Sequence, residues 1–283
     1  SFFRGMGNTR APMIFIAISG LLNIFLDFLL IGHYHMGAAG AAWGTLSSEG
    51  LSVLLALFFL RVKFAPLHLT LEDFRPGKKW IRQILGIGIP ISCQDGLIQI
   101  SFLIITAIAN SRGVEAAAAV GIVEKIISFL FLVPSAMMST VSATAAQNAG
   151  AGLQERGRQG LFYGISVCIG FGIFCILLIF WKAGPILSLF LPGEPGVIAM
   201  GIDYFHSYVF DCAIAGVHFC FSGYFAAYRK ATFSFLHNVI SIFTIRIPGT
   251  YTASVLFPAT LFPMGMAAPA GSLLSVIICV YLY

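Results

Sequence analysis

The sequence predicts an all-α polytopic membrane protein with about eight transmembrane helices. Three observations carry that expectation. Of 283 residues, 58% are hydrophobic and 10% are charged, against about 25% charged in an ordinary soluble domain. The mean hydropathy is +0.93. The apolar residues also gather into runs of ~20 or more, the length a helix needs to cross a bilayer. A soluble fold built from this chain would lack polar surface to face water. That excludes an ordinary soluble enzyme, a disordered chain and a disulfide-stapled secreted domain.

The spans are expected, in order, at 11–32, 38–60, 84–109, 114–146, 159–181, 197–227, 232–256 and 265–283. The first follows a basic turn, Asn8-Thr9-Arg10. The second opens on small residues after Met36-Gly37, and its Gly40–Gly44 pair suits close helix packing. Residues 62–83, with Arg75, Pro76, Gly77, Lys78, Lys79 and Trp80, read as a loop leading into an interfacial amphipathic helix. The third span holds Pro90, which opens one rung of the backbone ladder. The fourth and sixth exceed what a bilayer requires and are expected to include extramembrane turns. The fifth carries a Gly160–Gly164 pair. The seventh follows Arg229-Lys230-Ala231-Thr232, and the eighth follows Met264-Gly265. A faint repeat links the ends of the chain. Met36-Gly37 followed by Gly44-Thr45 parallels Met264-Gly265 followed by Gly271-Ser272.

Basic residues sort by loop. Arg4, Arg10, Arg61, Lys63, Arg75, Lys78, Lys79, Arg82, Arg156, Arg158, Arg229 and Lys230 fall on one side, twelve in all. Arg112 and Lys182 fall on the other. The basic side is cytoplasmic by the positive-inside rule, so the net charge of +5 reports topology rather than a nucleic-acid partner. Cys93, Cys168, Cys175, Cys212, Cys220 and Cys279 lie in apolar stretches without a CxxC pair. They read as small core residues.

Charges inside a bilayer cost ~2.5–3.5 kcal/mol each on insertion scales, so each asks for a pathway, a coupling site or an internal partner. Asn23 and Asp27 are four apart and share a helix face. Thr45 lies in the first turns of the antiparallel neighbour. Carboxylate, amide and hydroxyl oxygens suit a hard cation, or a carboxylate that takes a proton; otherwise the group bridges two helices. Ser92, Asp95 and Gln99 form one stripe on span three, either a cavity wall or a contact to neighbouring helices. Glu124 and the adjacent Lys125 diverge by ~100°. Lys125 is expected to meet a carboxylate from another helix in an internal ion pair. Asp203, Ser207 and Asp211 recur every four residues on span six, with His218 seven further on and His206 nearby. They suggest a polar face, with a proton relay through histidine as one use of it; otherwise Asp203 and His206 are simply wet near the outer interface, and the deeper Asp211 is the stronger candidate. Arg246, just before Pro248, is expected to pair with Asp211 or Glu124, or to snorkel. No HExxH, GxSxG, Walker A or suitably placed GxGxxG occurs, and His33 and His35 alone make a poor metal site. The expectation is therefore no enzyme, no nucleotide or nucleic-acid partner, and transport driven by an ion gradient.

Several stretches resemble the MATE (multidrug and toxic compound extrusion) transporters. Ala145-Ala146-Gln147-Asn148-Ala149-Gly150-Ala151 followed by Glu155-Arg156 is similar to that family's QNxGA…R signature. Gly88-Ile89-Pro90, Asn23-Ile24-Phe25-Leu26-Asp27, Arg246-Ile247-Pro248 and Gly265-Met266-Ala267-Ala268-Pro269 also fit. The resemblance implies twelve helices in two six-helix lobes around a V-shaped cavity. The eight spans here would be helices five to twelve. Residues 1–61 would end the N-lobe, 62–83 would be the cytoplasmic connector and 84–283 the C-lobe. Both ends of the sequence look like cuts through a longer protein. The chain without helices one to four is expected not to transport by itself. In one branch of the family an Asn and Asp on helix five and a Thr on helix six bind the coupling cation. Asn23, Asp27 and Thr45 match those positions, and the helix-one Asp that completes the set has no counterpart here. A second branch uses acidic residues on helices seven and ten. Asp95 and Asp211 sit on those helices, with Asp95 displaced from the usual glutamate position.

The resulting expectation is a multi-pass protein of a bacterial plasma membrane. It would be a Na⁺- or H⁺-coupled antiporter that exports drugs or other small organic, cationic or lipophilic compounds, with membrane lipid as its surroundings. It would need no cofactor beyond the coupling ion and no metal beyond a Na⁺ at Asp27. Asn23, Asp27 and Thr45 would bind the cation. Asp95, Gln99, Glu124, Lys125, Asp211 and Arg246 would line the substrate cavity or a secondary coupling site. Three alternatives stand beside it. One is a lipid-linked oligosaccharide flippase of the same superfamily, disfavoured by the mostly acidic intramembrane charge. Another is a membrane-embedded enzyme, for which His206 and His218 are too few. The last is an inactive truncated fragment.

Overall fold

The computed structural model describes residues 3, 8, 10–63, 77–191 and 193–283. Among them every regular element is helical. Seven helical segments are long and apolar enough to cross a membrane, and an eighth span forms if the bent pair Pro195–Tyr208 and Asp211–Ala227 is counted as one. The chain divides into two compact units, Ser1–Gly77 and Lys78–Tyr283.

The first unit is a helical hairpin. Helix α1 (Arg10–Asp27) starts where the Asn8 side chain accepts a hydrogen bond from the Ala11 amide at 3.2 Å, a side-chain cap on an otherwise orphaned donor. At its far end α1 widens into a π-helical turn, Phe28–His33. Helix α2 (Gly37–Lys63) returns antiparallel. The reversal is tight: His35 and Gly37 both take positive φ, 53° and 57°. An edge-to-face cluster of Phe3, Phe15 and Phe59 closes the opposite end. Residues 64–76 of the expected connector lie outside the described residues.

The second unit holds α3 (Lys78–Asn110), α4 (Val114–Leu130), α5 (Leu132–Gly150), α6 (Gln154–Ser188), α7 (Pro195–Tyr208), α8 (Asp211–Ala227), α9 (Ala231–Ser241), a π-helical turn (Ile242–Arg246), α10 (Ile247–Leu256) and α11 (Phe262–Leu282). Proline lies at the start of α7 and α11, where its missing N–H costs nothing, whereas Pro248 follows the π-helical turn inside the continuous span Ala231–Leu256. At about 1.5 Å per residue, α3 and α6 reach roughly 50 Å, well beyond a ~30 Å hydrocarbon core.

Two expectations about the elements are corrected. Residues 78–83 are not a separate interfacial helix; they form the first turns of α3. The fourth span, Val114–Gly150, stays one span with a turn at Phe131, between α4 and α5. The sixth span is bent by 42° between α7 and α8. That bend removes the expected continuous polar face: Asp203 is exposed and bonded to Thr260, whereas Ser207 and Asp211 are buried.

Packing in this unit depends on small residues. A Cβ at Gly216 would stand 2.6 Å from the Cys168 Cβ, so only glycine lets α6 and α8 approach this closely. Five cysteines are buried thiols, as small core residues should be, but Cys93 is exposed. Arg112, counted above only as an outer-side charge, donates to the carbonyls of Phe257, Pro258 and Thr260 at 2.5–3.3 Å. It clamps the α10–α11 turn by satisfying carbonyls that the helix end leaves orphaned. The Gln147-Asn148 stretch ends α5. There Asn148 donates its side-chain amide to the Thr144 carbonyl and accepts the Leu153 amide on its own carbonyl.

Candidate functional site

In the first unit, α1 and α2 bring Asn23, Asp27 and Thr45 together. The Asn23 Nδ2 donates to the Thr45 Oγ at 3.4 Å, and Thr45 itself donates to the Ala41 carbonyl. Asp27 is the last residue before the π-helical turn, and its carboxylate rests on Gly44. A Cβ there would lie 2.6 Å from Asp27 Oδ1. That oxygen is buried and has no hydrogen-bond partner. A buried, unsatisfied carboxylate oxygen costs free energy that a bound cation or proton would recover. The polar seam continues along the hairpin through residues that the sequence reading did not single out. Ser19 donates to the Ser48 carbonyl at 2.7 Å, and Ser48 donates to the Thr45 carbonyl at 2.9 Å. Ser19, Asn23, Thr45, Ser48, Glu49 and Ser52 line a groove of about 470 Å³. Ser48 and Ser52, three and seven residues after Thr45, were visible in the sequence but serines are common at helix interfaces.

The second unit has its own polar cluster. Glu124, on α4, is buried and accepts from Thr106 Oγ at 3.2 Å through Oε2, while Oε1 has no partner. Asp211, the first residue of α8, is buried at 1% exposure with neither carboxylate oxygen in hydrogen-bonding geometry. Arg246, at the end of the second π-helical turn, neither snorkels nor forms a contact ion pair. It donates to the Tyr208 hydroxyl at 2.6 Å and stacks on the Phe102 ring at 4.8 Å. A cation–π contact of this kind partly replaces lost water. A small cavity of about 40 Å³ joins Asp211, His218, Asn238, Ser241, Arg246 and Ser272, room for one water or a small ion.

Two further placements complete the set. Lys125 is exposed and makes no ion pair among the described residues, so the expected internal bridge is absent. Its direction is fixed by Glu124, which turns inward and leaves its neighbour on the outer face. Asp95 and Gln99 lie with Ser92 on the exposed side of α3, while Gln94 is buried with its Oε1 unpartnered. The sequence reading missed His237. It is wholly buried, 3.1 Å from the Ser222 hydroxyl through Nε2, with its ring 5.4 Å from that of His218.

The MatE family profile matches residues 90–252. The "Probable multidrug resistance protein YpnP" of Bacillus subtilis is 30% identical over 95% of this chain and 59% of its own length. The "FAD transporter" of Shewanella oneidensis is 27% identical over 99% of this chain and 62% of its own length. The chain thus spans about three fifths of the length of these relatives. The fold matches that of a MATE protein crystallised with MaL6, with a TM-score of 0.90 at 19% identity over 99% of this chain and 63% of that one. It also matches a MOP-superfamily transporter from Pyrococcus furiosus, with a TM-score of 0.83 at 19% identity, covering 95% of this chain and 61% of that one. A family match over more than half of the residues, on a fold of seven or eight membrane spans, means that this multi-pass membrane protein belongs to the MatE family.

Proposed function

We propose that the protein exports small organic compounds in exchange for Na⁺ or H⁺, and that Asn23, Asp27 and Thr45 bind the coupling cation. The observation that carries this reading is the buried Asp27 oxygen, without a partner, on the Gly44 surface beside the Asn23–Thr45 hydrogen bond. Donation from Asn23 Nδ2 leaves the amide carbonyl as an acceptor. Carboxylate, carbonyl and hydroxyl oxygens then form a hard-cation donor set, or a carboxylate poised to hold a proton. A cation drives transport when it binds one conformation of the protein more tightly than another. Its differential affinity sets how far the populations shift. Asp211, Glu124 and Arg246 would form a secondary coupling site in the second unit, and Asp95 and Gln99 would meet substrate from the exposed face of α3.

Multidrug resistance relatives support a lipophilic organic substrate. The relative named FAD transporter makes flavin adenine dinucleotide a second substrate to test. The full-length protein, reconstituted in liposomes, should expel a fluorescent cation under one of two separately imposed gradients, Na⁺ or H⁺. Asp27→Asn should abolish the gradient dependence. Undiminished efflux in that variant would remove Asp27 from coupling. Efflux of a lipid-linked pyrophosphate in place of dyes would establish the flippase reading.

A further inference from the structure

The face of α3 that carries Ser92 and Gln99 continues toward Lys78, and its first turns hold a feature that the transport reading does not use. Lys78, Lys79, Arg82 and Gln83 on the first turns of α3 and Arg229 on the α8–α9 turn line one open cavity of about 550 Å³. Among the described residues none of these four cations has an ion pair or a hydrogen bond. Arg229 is held at φ 61°, a left-handed conformation unusual for a residue with a side chain. Sharing Lys78, Arg82 and Gly86 with this cavity is a second one of similar size, lined otherwise by Ile81, Leu85, Ile89 and Pro90. Ile81, Leu85 and Ile89 recur every four residues, so they form one stripe along the helix. All three are at least 40% exposed.

We propose that this pair of cavities is a binding site for one anionic phospholipid of the cytoplasmic leaflet. The basic cavity takes the phosphate headgroup and the apolar groove takes an acyl chain. Dimensions agree with that occupant. From Lys78 to Pro90 the helix rises about 18 Å, close to the ~15 Å thickness of one hydrocarbon leaflet. Depth agrees as well. Trp80 is 65% exposed within the basic turn, and exposed tryptophans settle at the headgroup level. Side agrees too, because the four cations belong to the loop set that the charge bias places in the cytoplasm, where anionic lipids concentrate. A soluble phosphate would account for the basic half but would leave the apolar half unexplained.

Lipid retention on the purified full-length protein tests this, read by native mass spectrometry with phosphatidylglycerol, phosphatidylcholine and glycerol phosphate offered separately. Phosphatidylglycerol should be retained in preference to phosphatidylcholine, and glycerol phosphate should not bind. Arg82→Gln combined with Arg229→Gln should weaken phosphatidylglycerol retention about twenty-five-fold, at about five-fold per charge. Gly86→Leu supplies the charge-neutral arm. A Cβ at Gly86 meets nothing within 4 Å, so the backbone there accepts a side chain directed at the groove, and lipid retention should fall with an unchanged melting temperature. Equal retention of the two lipids would overturn the proposal. So would glycerol phosphate binding that Gly86→Leu leaves intact, which would identify a soluble-anion site.

Discussion

The hairpin of the first unit and the last three helices of the second share a local design, and they differ in one group. In each, a helix ends in a π-helical turn, Phe28–His33 after α1 and Ile242–Arg246 after α9. In each, the residue just before that turn rests against a glycine of a following helix. Gly44 meets the Asp27 carboxylate, and Gly271 meets the Ser241 hydroxyl, which also donates to the Gly271 carbonyl at 2.5 Å. Four residues earlier stand Asn23 and His237; one residue after each glycine stand Thr45 and Ser272. The faint repeat in the sequence is therefore a repeat of geometry. The first unit places a carboxylate at the turn. The second places a hydroxyl there, brings its carboxylate from Asp211 on another helix, and adds the cation of Arg246. One scaffold thus presents an uncompensated acid in one unit and an acid beside a buried base in the other. The first arrangement suits an exchangeable cation, since a resident arginine would compete for it.

The largest effect should separate these two acids. Asp27→Asn should lower gradient-driven efflux at least a hundred-fold, while Asp211→Asn should retain at least a third of it, both measured in proteoliposomes. Equal and near-complete loss in both variants would mean that coupling requires both acids, and the contrast would fail.

Arg246 gives the next effect. Arg246→Met removes the cation that shares a cavity with Asp211 and its hydrogen bond to Tyr208, and should cost about 1.5–3 kcal/mol, as for a lost hydrogen bond to a charged group, read as a lower melting temperature. Adding Asp211→Asn should restore part of it, because the uncompensated acid is then gone. No recovery would show that Arg246 acts only by packing on Phe102. The two glycines come third. Gly44→Ala drives a methyl into the Asp27 carboxylate, a side-chain end that can swing away, so coupling should fall about ten-fold, or about 1.4 kcal/mol, with little change in stability. Gly271→Ala meets the Ser241 Oγ at 3.0 Å and the Arg246 Cβ at 3.4 Å. It should shift the melting temperature and leave cation affinity as it was.

Much of this was legible in the residues, because a bilayer imposes a length and a charge rule that sequence cannot hide. The eight spans follow from hydropathy alone. The Asn23–Asp27–Thr45 convergence follows from one helical spacing and one antiparallel neighbour. The failures are equally physical. The polar face expected on span six assumed a straight helix, and the 42° bend after Tyr208 changes which side Asp203 presents. Lys125 and Arg246 were expected to find carboxylates by charge. Arg246 found an aromatic face and a phenol, and Lys125 found the outside. His237 carried no signal, since a lone histidine among apolar residues does not announce a partner fifteen positions away at Ser222.

The smallest effect tests whether the Thr45 hydroxyl is a ligand or only a helix contact. The Asn23–Thr45 bond is long at 3.4 Å, while the bond from Thr45 to the Ala41 carbonyl is 3.0 Å. Thr45→Val keeps the shape and removes both, at a cost of about 0.5–1.5 kcal/mol for each neutral hydrogen bond that had contributed. If the hydroxyl only ties α2 to itself, stability falls by about that amount and the concentration of Na⁺ or H⁺ giving half-maximal efflux stays put. If it completes the donor set of Asp27, that concentration rises about three-fold, and Thr45→Ser, which restores the oxygen, returns it. We expect the second result. In the second unit, Ser272→Ala should leave the same half-maximal concentration unchanged, because the corresponding hydroxyl there stands beside an acid that already shares its cavity with Arg246.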